Sequence, residues 1–323
     1  EQNNLQNKMK FSLFAGASTG QEEDRWAKLG MLDRRYPFQE GKNIAEGINT
    51  KKIRFHDTHL SKFPDHLHYG YYTNDKNIDI TIVEATAITE EGHIVPSASV
   101  GATPLFTRMS DKIIVELNTA MLNFEGMHDI VTPEKPPYRH PLNVFRVHDR
   151  IGRPAIPVDP DRIVAIVEST QPDKTNVSTK ERGISDKIAS HIIGFLNDEI
   201  SRKRLSHSLM PLQSGVGNIA NAVIEELAAG PYHRLQVWSE VLQDSFLDFF
   251  DSGKLLFASC AGLHFSPAGF ERFYNNWNKY IDKIILRPQY VSNSPELISR
   301  LGVIAYVFFV FFTRKFLFFD FFF

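Results

Sequence analysis

Ser214-Gly215-Val216-Gly217-Asn218-Ile219-Ala220, continued by Asn221 to Gly230 and then by Arg234-Leu235-Gln236-Val237-Trp238-Ser239-Glu240, reads as a glycine turn, a helix and a strand in one run. From Asn218 onward, Ile219, Val223, Ile224 and Leu227 fall on one helical face, and Gly230-Pro231 stops the helix. A helix of this length covers roughly 18 Å at 1.5 Å per residue. The six strand residues cover roughly 20 Å at 3.3 Å each. The chain therefore returns to the edge it left, and Glu240 should emerge beside the Gly215–Asn218 loop. In an open α/β sheet that edge is the carboxyl end of the strands, where ligands bind.

The residue types in this turn suit a negatively charged group. Glycines at 215 and 217 allow close backbone approach, and the N–H groups at a helix start attract an anion or an oxyanion. A carboxylate delivered next to them has two readings. It is a nucleophile whose reacting partner is stabilised by the loop. Alternatively, Gly215-x-Gly217-x-x-Ala220 with Glu240 at its spacing is a dinucleotide fingerprint, the acidic residue taking a ribose hydroxyl. The spacing alone leaves both open.

Working outward, runs rich in β-branched and aromatic residues predict strands at Lys10–Phe14, Ile53–His56, Ile78–Ile88, Lys112–Asn118, Arg162–Glu168, Arg234–Ser239, Leu255–Ser259 and Lys283–Leu286. Several are continuous rather than alternating, which predicts burial on both faces. Ile184, Ile188, Ile192, Leu196 and Ile200 recur every four residues and predict a helix over Ile184–Leu205. The fold class is α/β. The Pro-dense stretch Thr132–Asp161 and the polar stretch Gln171–Arg182 are the natural places for a boundary, set near residue 175.

Composition narrows the function classes. The 323 residues are 42% hydrophobic and 23% charged, the balance of a globular chain with a sizeable core. Lys plus Arg total 36 against 38 for Asp plus Glu, so no field of one sign is available for nucleic acid, which is not expected as a partner. Cys260 is the only cysteine, which excludes an internal disulfide and a thiolate cluster and fits a reducing compartment, mitochondrial or cytoplasmic. Its apolar surroundings mark it as core. His56, His59, His66 and His68 lie close together, with His66 and His68 expected on one strand face, but no acidic or thiolate partner is suggested and no metal is expected. Gly16-Ala17-Ser18-Thr19-Gly20 follows a strand but lacks the Lys of a phosphate loop, and is read as a turn near an interdomain cleft.

The ends read differently from the rest. Glu1 to Lys10 shows neither a secretory h-region nor an Arg-rich transit pattern. Val307–Phe323 is mostly Phe and Leu, broken by Thr313, Arg314, Lys315 and Asp320 and without period. It is read as sequence from outside the evolved frame, poorly packed, rather than as a membrane anchor, because Arg314-Lys315 interrupts it well short of the ~20 residues a span needs.

Longer motifs carry a resemblance. Leu212-Gln213-Ser214-Gly215-Val216-Gly217-Asn218-Ile219-Ala220-Asn221-Ala222, Ser239-Glu240-Val241-Leu242-Gln243-Asp244, Leu286-Arg287-Pro288-Gln289 and Ser292-Asn293-Ser294-Pro295-Glu296 resemble the acetyl-CoA hydrolase and acetate/succinate CoA-transferase family, in its eukaryotic, fungal form. Phe11–Gly20, Gly41-Lys42-Asn43-Ile44, His59-Leu60-Ser61 and Tyr69–Thr73 agree, so the likeness runs over about residues 1 to 306. The resemblance implies two similar open α/β domains of the CoA-transferase type, residues 1–174 and 175–306, followed by the aberrant tail 307–323, with the active site in the cleft between the domains.

It also implies an activity. The Glu matching Glu240 attacks an acyl-CoA, passing through an acyl-glutamyl anhydride to a glutamyl-CoA thioester, and transfer to a carboxylate or to water follows. Gly215, Val216, Gly217, Asn218 and Ile219 would contact CoA and supply oxyanion donors, and Asn293 matches an active-site Asn. Coenzyme A would enter as substrate with acetate or succinate as partners. No resident cofactor, metal or membrane is implied, and a homodimer is among the assemblies allowed. The family continues past the segment matching Leu301–Tyr306 into a second Gly-rich CoA loop and also starts earlier. The chain is therefore expected to be cut short at both ends, to lack a CoA contact, and to be slow or inactive.

Overall fold

The computed structural model describes residues 8–18, 21–173 and 183–302. The expected boundary near residue 175 and the Phe-rich tail 307–323 both lie outside the described residues, as do Thr19 and Gly20 of the first glycine turn. The chain divides into two compact units, Glu1–Lys76 and Asn77–Phe323.

The first unit is a three-stranded parallel sheet in the order β1-β2-β3, made by β1 (Phe11–Phe14), β2 (Leu32–Tyr36) and β3 (Arg54–Phe55), with helices α1 (Gln21–Lys28), α2 (Lys42–Asn49) and α3 (Phe63–His68). Leu32, Ile44 and Ile53 form its small core. The central strand β2 is not among the predicted ones, since its sequence Leu-Asp-Arg-Arg-Tyr carries three charges. It is tolerated inside because Arg35, fully buried, donates to Glu23 at 2.9 Å and to the carbonyls of Tyr36 and Phe38. A buried charge survives when it is paired and its donors are used.

His66 and His68 sit on helix α3 rather than on a strand, which corrects the expected shared face. Residues two apart on a helix point in different directions. His66 Nδ1 meets the Tyr72 hydroxyl at 3.0 Å, and His68 is buried.

The second unit holds two main sheets. One has the order β5-β4-β6-β7, from β4 (Ile78–Ile88), β5 (Ile94–Pro96), β6 (Ser110–Asn118) and β7 (Ile163–Ser169), with α4 (Thr103–Met109) leading into β6. After α5 (Ile184–Ser201) and α6 (Asn218–Ala229) comes β8 (Leu235–Trp238), then the short β9 (Val241–Leu242), α7 (Ser245–Asp251) and β10 (Leu255–Cys260). Next follow β11 (Gly262–Leu263), α8 (Pro267–Asn275), α9 (Trp277–Tyr280), β12 (Ile284–Leu286), α10 (Gln289–Ser292) and α11 (Pro295–Arg300). The strands β12-β10-β8 form a parallel sheet in that order, and β11 pairs with β9 beside it.

All eight predicted strands are present within two residues of their expected ends. Helix α5 buries Ile192 and Leu196 as its four-residue spacing requires, but Ile184 at its start is exposed. The expectation of strands buried on both faces fails in the first sheet. Ile80, Ile82, Val164, Ile166 and Val167 are all exposed, so apolar continuity on β4 and β7 does not correspond to a covered face among the described residues.

Backbone contacts join the segments that follow the strands of each sheet. Ser99 bridges Gly262, Val100 N–H donates to Ala261 O at 2.9 Å, Leu263 N–H donates to Ala98 O at 2.8 Å, and His128 bridges Leu286. One core runs through both sheets, from Val83 and Val115 to Leu235, Ala258 and Ile284.

Candidate active site

The glycine turn is built as its sequence requires. Leu212 bridges Val237 of β8 in parallel, and the Trp238 N–H donates to Leu212 O at 2.9 Å, so the turn leaves along β8 itself. Gly217, the N-cap of α6, has φ +108° and ψ −178°, a region open in practice only to glycine. Val216 is exposed at the crest of the turn. The start of the twelve-residue α6 at Asn218 and Ile219 aims its positive end at the same place.

Glu240 emerges one residue beyond Ser239, at the carboxyl end of β8. The Ser239 hydroxyl donates to Ser214 O at 2.7 Å, and Gln243 Oε1 accepts from Gly217 N–H at 3.3 Å. The helix-and-strand return therefore sets Glu240 between two contacts to the glycine turn. Its backbone is pinned as well, because Glu240 O accepts from Ala261 N–H at 2.7 Å and from Gly262 N–H at 3.2 Å.

Asn293 is the C-cap of α10 and arrives from a different part of the chain. Its side chain acts on the Glu240 carboxyl against the effect of burial, while its own Oδ1 is buried with no partner among the described residues. Sequence reasoning placed Glu240 and the turn together from local geometry, whereas Asn293 entered only through resemblance.

Other parts of the surroundings were missed. The Ser97–Gly101 segment runs beside the Ala261–Leu263 turn that holds Glu240, and Gly101 O accepts from Gln289 N–H at 2.9 Å. The signal available was a run of small residues, Ser97-Ala98-Ser99-Val100-Gly101-Ala102, between a strand and a Pro-containing helix start.

Burial is the main cause that raises the Glu240 carboxyl above its ordinary value, and the Asn293 hydrogen bond partly offsets it. The protonated form therefore fits the fold better. Stability that is present below the ordinary glutamate range is lost as pH rises through the raised folded value. Glu240→Gln, locked neutral, is expected to melt higher than the unchanged chain near neutral pH and to show no advantage below about pH 4. Thermal melts across that range check this, and a pH-independent difference would contradict the assigned cause.

Two other titratable groups can be set aside. The Cys260 thiol is fully buried and pushed up to about 12, so it offers no thiolate at neutral pH. Burial lowers His128 to about 4, and its Nε2 contacts Ser97 O at 3.1 Å, the arrangement of a neutral structural histidine. Among the described residues no three His, Cys, Asp or Glu side chains are grouped to hold a metal.

The arrangement can thus present a carboxylate of raised basicity to an electrophile whose developing negative charge would face a glycine turn and a helix start. Residues 1–168 match the model of the acetyl-CoA hydrolase/transferase N-terminal domain. Over 309 residues the chain is 54% identical to an acetyl-CoA hydrolase of Neurospora crassa and 50% identical to one of Saccharomyces cerevisiae. Each match takes in 94% of this chain and 59% of the relative, so the chain spans well under two thirds of their length.

Two solved structures share the fold. RipA from Yersinia pestis gives a TM-score of 0.58 at 18% identity, over 85% of this chain and 55% of its own. A 4-hydroxybutyrate CoA-transferase from Porphyromonas gingivalis gives 0.55 at 15% identity, over 88% and 64%.

Proposed function

Because this chain belongs to the acetyl-CoA hydrolase/transferase family, we propose that it carries the nucleophile of an acyl-CoA hydrolase or CoA-transferase, and that the nucleophile is Glu240. The observation that carries the reading is the Glu240 carboxyl delivered at the end of β8, flanked by Ser239 and Gln243, which both bond the glycine turn.

In the proposed cycle a Glu240 carboxylate oxygen attacks the thioester carbon, and the C–S bond breaks to give an acyl-glutamyl anhydride and CoA thiolate. The thiolate then attacks the Glu240 carbonyl carbon and expels the acyl group as a carboxylate, leaving a glutamyl-CoA thioester. Attack by a second carboxylate continues to transfer, and attack by water ends in hydrolysis. The backbone of Gly215–Ile219 would receive the oxyanion and part of CoA, and Asn293 would orient the carboxyl. Coenzyme A is a substrate here, acetate or succinate the expected partner, and the proposed cycle routes no step through a resident cofactor.

The dinucleotide reading of the same turn is not favoured, since relatives sharing half of the residues are named acetyl-CoA hydrolases. The test is chemical trapping. Incubation with acetyl-CoA followed by borohydride reduction should mark one peptide, at Glu240. A mark elsewhere, or NADH binding without any CoA attachment, would overturn the proposal.

A further inference from the structure

Glu240 and Asn293 come from separate elements, so something must fix the distance between them. The contacts that hold Asn293 within its own turn are local: Asn293 N–H donates to Gln289 O at 2.7 Å, and Ser292 N–H donates to Pro288 O at 3.0 Å. Neither of these ties the turn to β8. Trp238, two positions before Glu240, does tie them. Its indole Nε1–H donates to the carbonyl of Ser292, the neighbour of Asn293, at 2.8 Å and fully buried.

The same residue anchors the other side of the site, since its backbone N–H holds Leu212 at the root of the glycine turn. Its ring cannot drift. One face lies under the Arg287 guanidinium at 5.3 Å, and the rest packs with Val144, Val147, Tyr290, Val291 and Leu297. Arg287 is itself immobilised by Asp129, Ser259 Oγ at 2.8 Å and the carbonyl of Asp149.

We propose that Trp238 is a positioning residue, whose indole N–H ties the turn bearing Asn293 to the strand that delivers Glu240. The consequence for catalysis rests on Glu240 as nucleophile, but the clamp itself is a property of the fold. A hydrogen bond to a carboxylate favours its ionised form, so loosening the turn should raise the Glu240 titration midpoint. The ionisable groups on neighbouring elements do not confuse this. Burial pushes the Cys260 thiol on β10 up to about 12 and lowers Arg287, behind Trp238 and paired with Asp129, to about 10, and Asp244 accepts from Ser266 N–H.

The experiment follows Glu240 by carbon-13 NMR of labelled glutamate carboxyls, assigned with Glu240→Gln. Trp238→Phe, which keeps a buried ring but removes the donor, should raise the midpoint in the same direction as Asn293→Ala. The double variant should go no further than Asn293→Ala alone. In the trapping reaction Trp238→Phe should slow CoA attachment by roughly 10- to 100-fold, as a displacement approaching 1 Å does, with half-saturation by acetyl-CoA unchanged. If Trp238→Phe does not fold, the benzothiophene analogue of tryptophan at 238, isosteric and lacking the N–H, makes the same comparison.

An unmoved midpoint in a folded variant, or shifts that add in the double variant, would overturn the clamp. Coupled titrations with no CoA on Glu240 would keep the clamp and remove the chemical reading instead.

Discussion

On the proposed role of Glu240 as nucleophile, replacing it with alanine is expected to abolish CoA attachment and to lower whatever turnover of acetyl-CoA the chain supports by on the order of 10⁴ or more. Where a nucleophile has been deleted from a protease, the loss reached about 10⁶ in kcat, and what survived came from oxyanion donors and binding. Here the Gly215–Ile219 backbone and the start of α6 would remain intact in the variant, so substrate should still bind. The loss should therefore appear in turnover rather than in half-saturation.

Glu240→Asp is the informative companion. It keeps the carboxylate but withdraws it by one methylene from Asn293 and from the glycine turn, and misplacement on the order of 1 Å costs about 10²-fold. A graded series, with Asp between the unchanged chain and Ala, is the expected result by steady-state kinetics with acetyl-CoA and succinate. Full activity in Glu240→Ala would show that the carboxyl beside the glycine turn is not the nucleophile.

The second large effect concerns stability. Arg287 and Asp129 form an ion pair in which both side chains are shut off from solvent. Asp129 also accepts from Ile151 N–H at 3.0 Å and from Gly152 N–H at 2.6 Å. Burial lowers Arg287 to about 10, with Asp129 the main influence holding it up, so it is still charged at neutral pH. Removing one partner of such a pair leaves an uncompensated buried charge, typically a loss of about 3–5 kcal/mol.

Asp129→Ala is therefore expected to lower the urea midpoint sharply, and to loosen the Trp238 ring that Arg287 covers. Joint replacement, Asp129→Leu with Arg287→Met, should recover much of the loss, because a well-packed apolar pair avoids the desolvation that the charges incur. Urea unfolding followed by tryptophan fluorescence checks both. A drop below about 1 kcal/mol in Asp129→Ala would place the pair in the class of solvent-screened surface bridges, against its burial.

The parts of this protein that its sequence determined are those whose cause is local. Runs of β-branched and aromatic residues located eight strands, and apolar spacing the helices α5 and α6. The single turn-helix-strand passage from Ser214 to Glu240 put the carboxyl next to the turn, because rise per residue fixes where such a passage must end. Tertiary structure decided the rest, and the reason is separation along the chain. Trp238 meets Ser292 across 54 residues and Arg287 meets Asp129 across 158, pairings that no window of local pattern contains. Strand β2 was hidden for a related reason. Its three charges carry no strand signal, and Arg35 is accommodated inside only because Glu23 and two carbonyls, supplied by the folded chain, satisfy it. The exposed faces of β4 and β7 show the converse, since an apolar run specifies that a strand can be covered, and only the packing around it specifies whether it is.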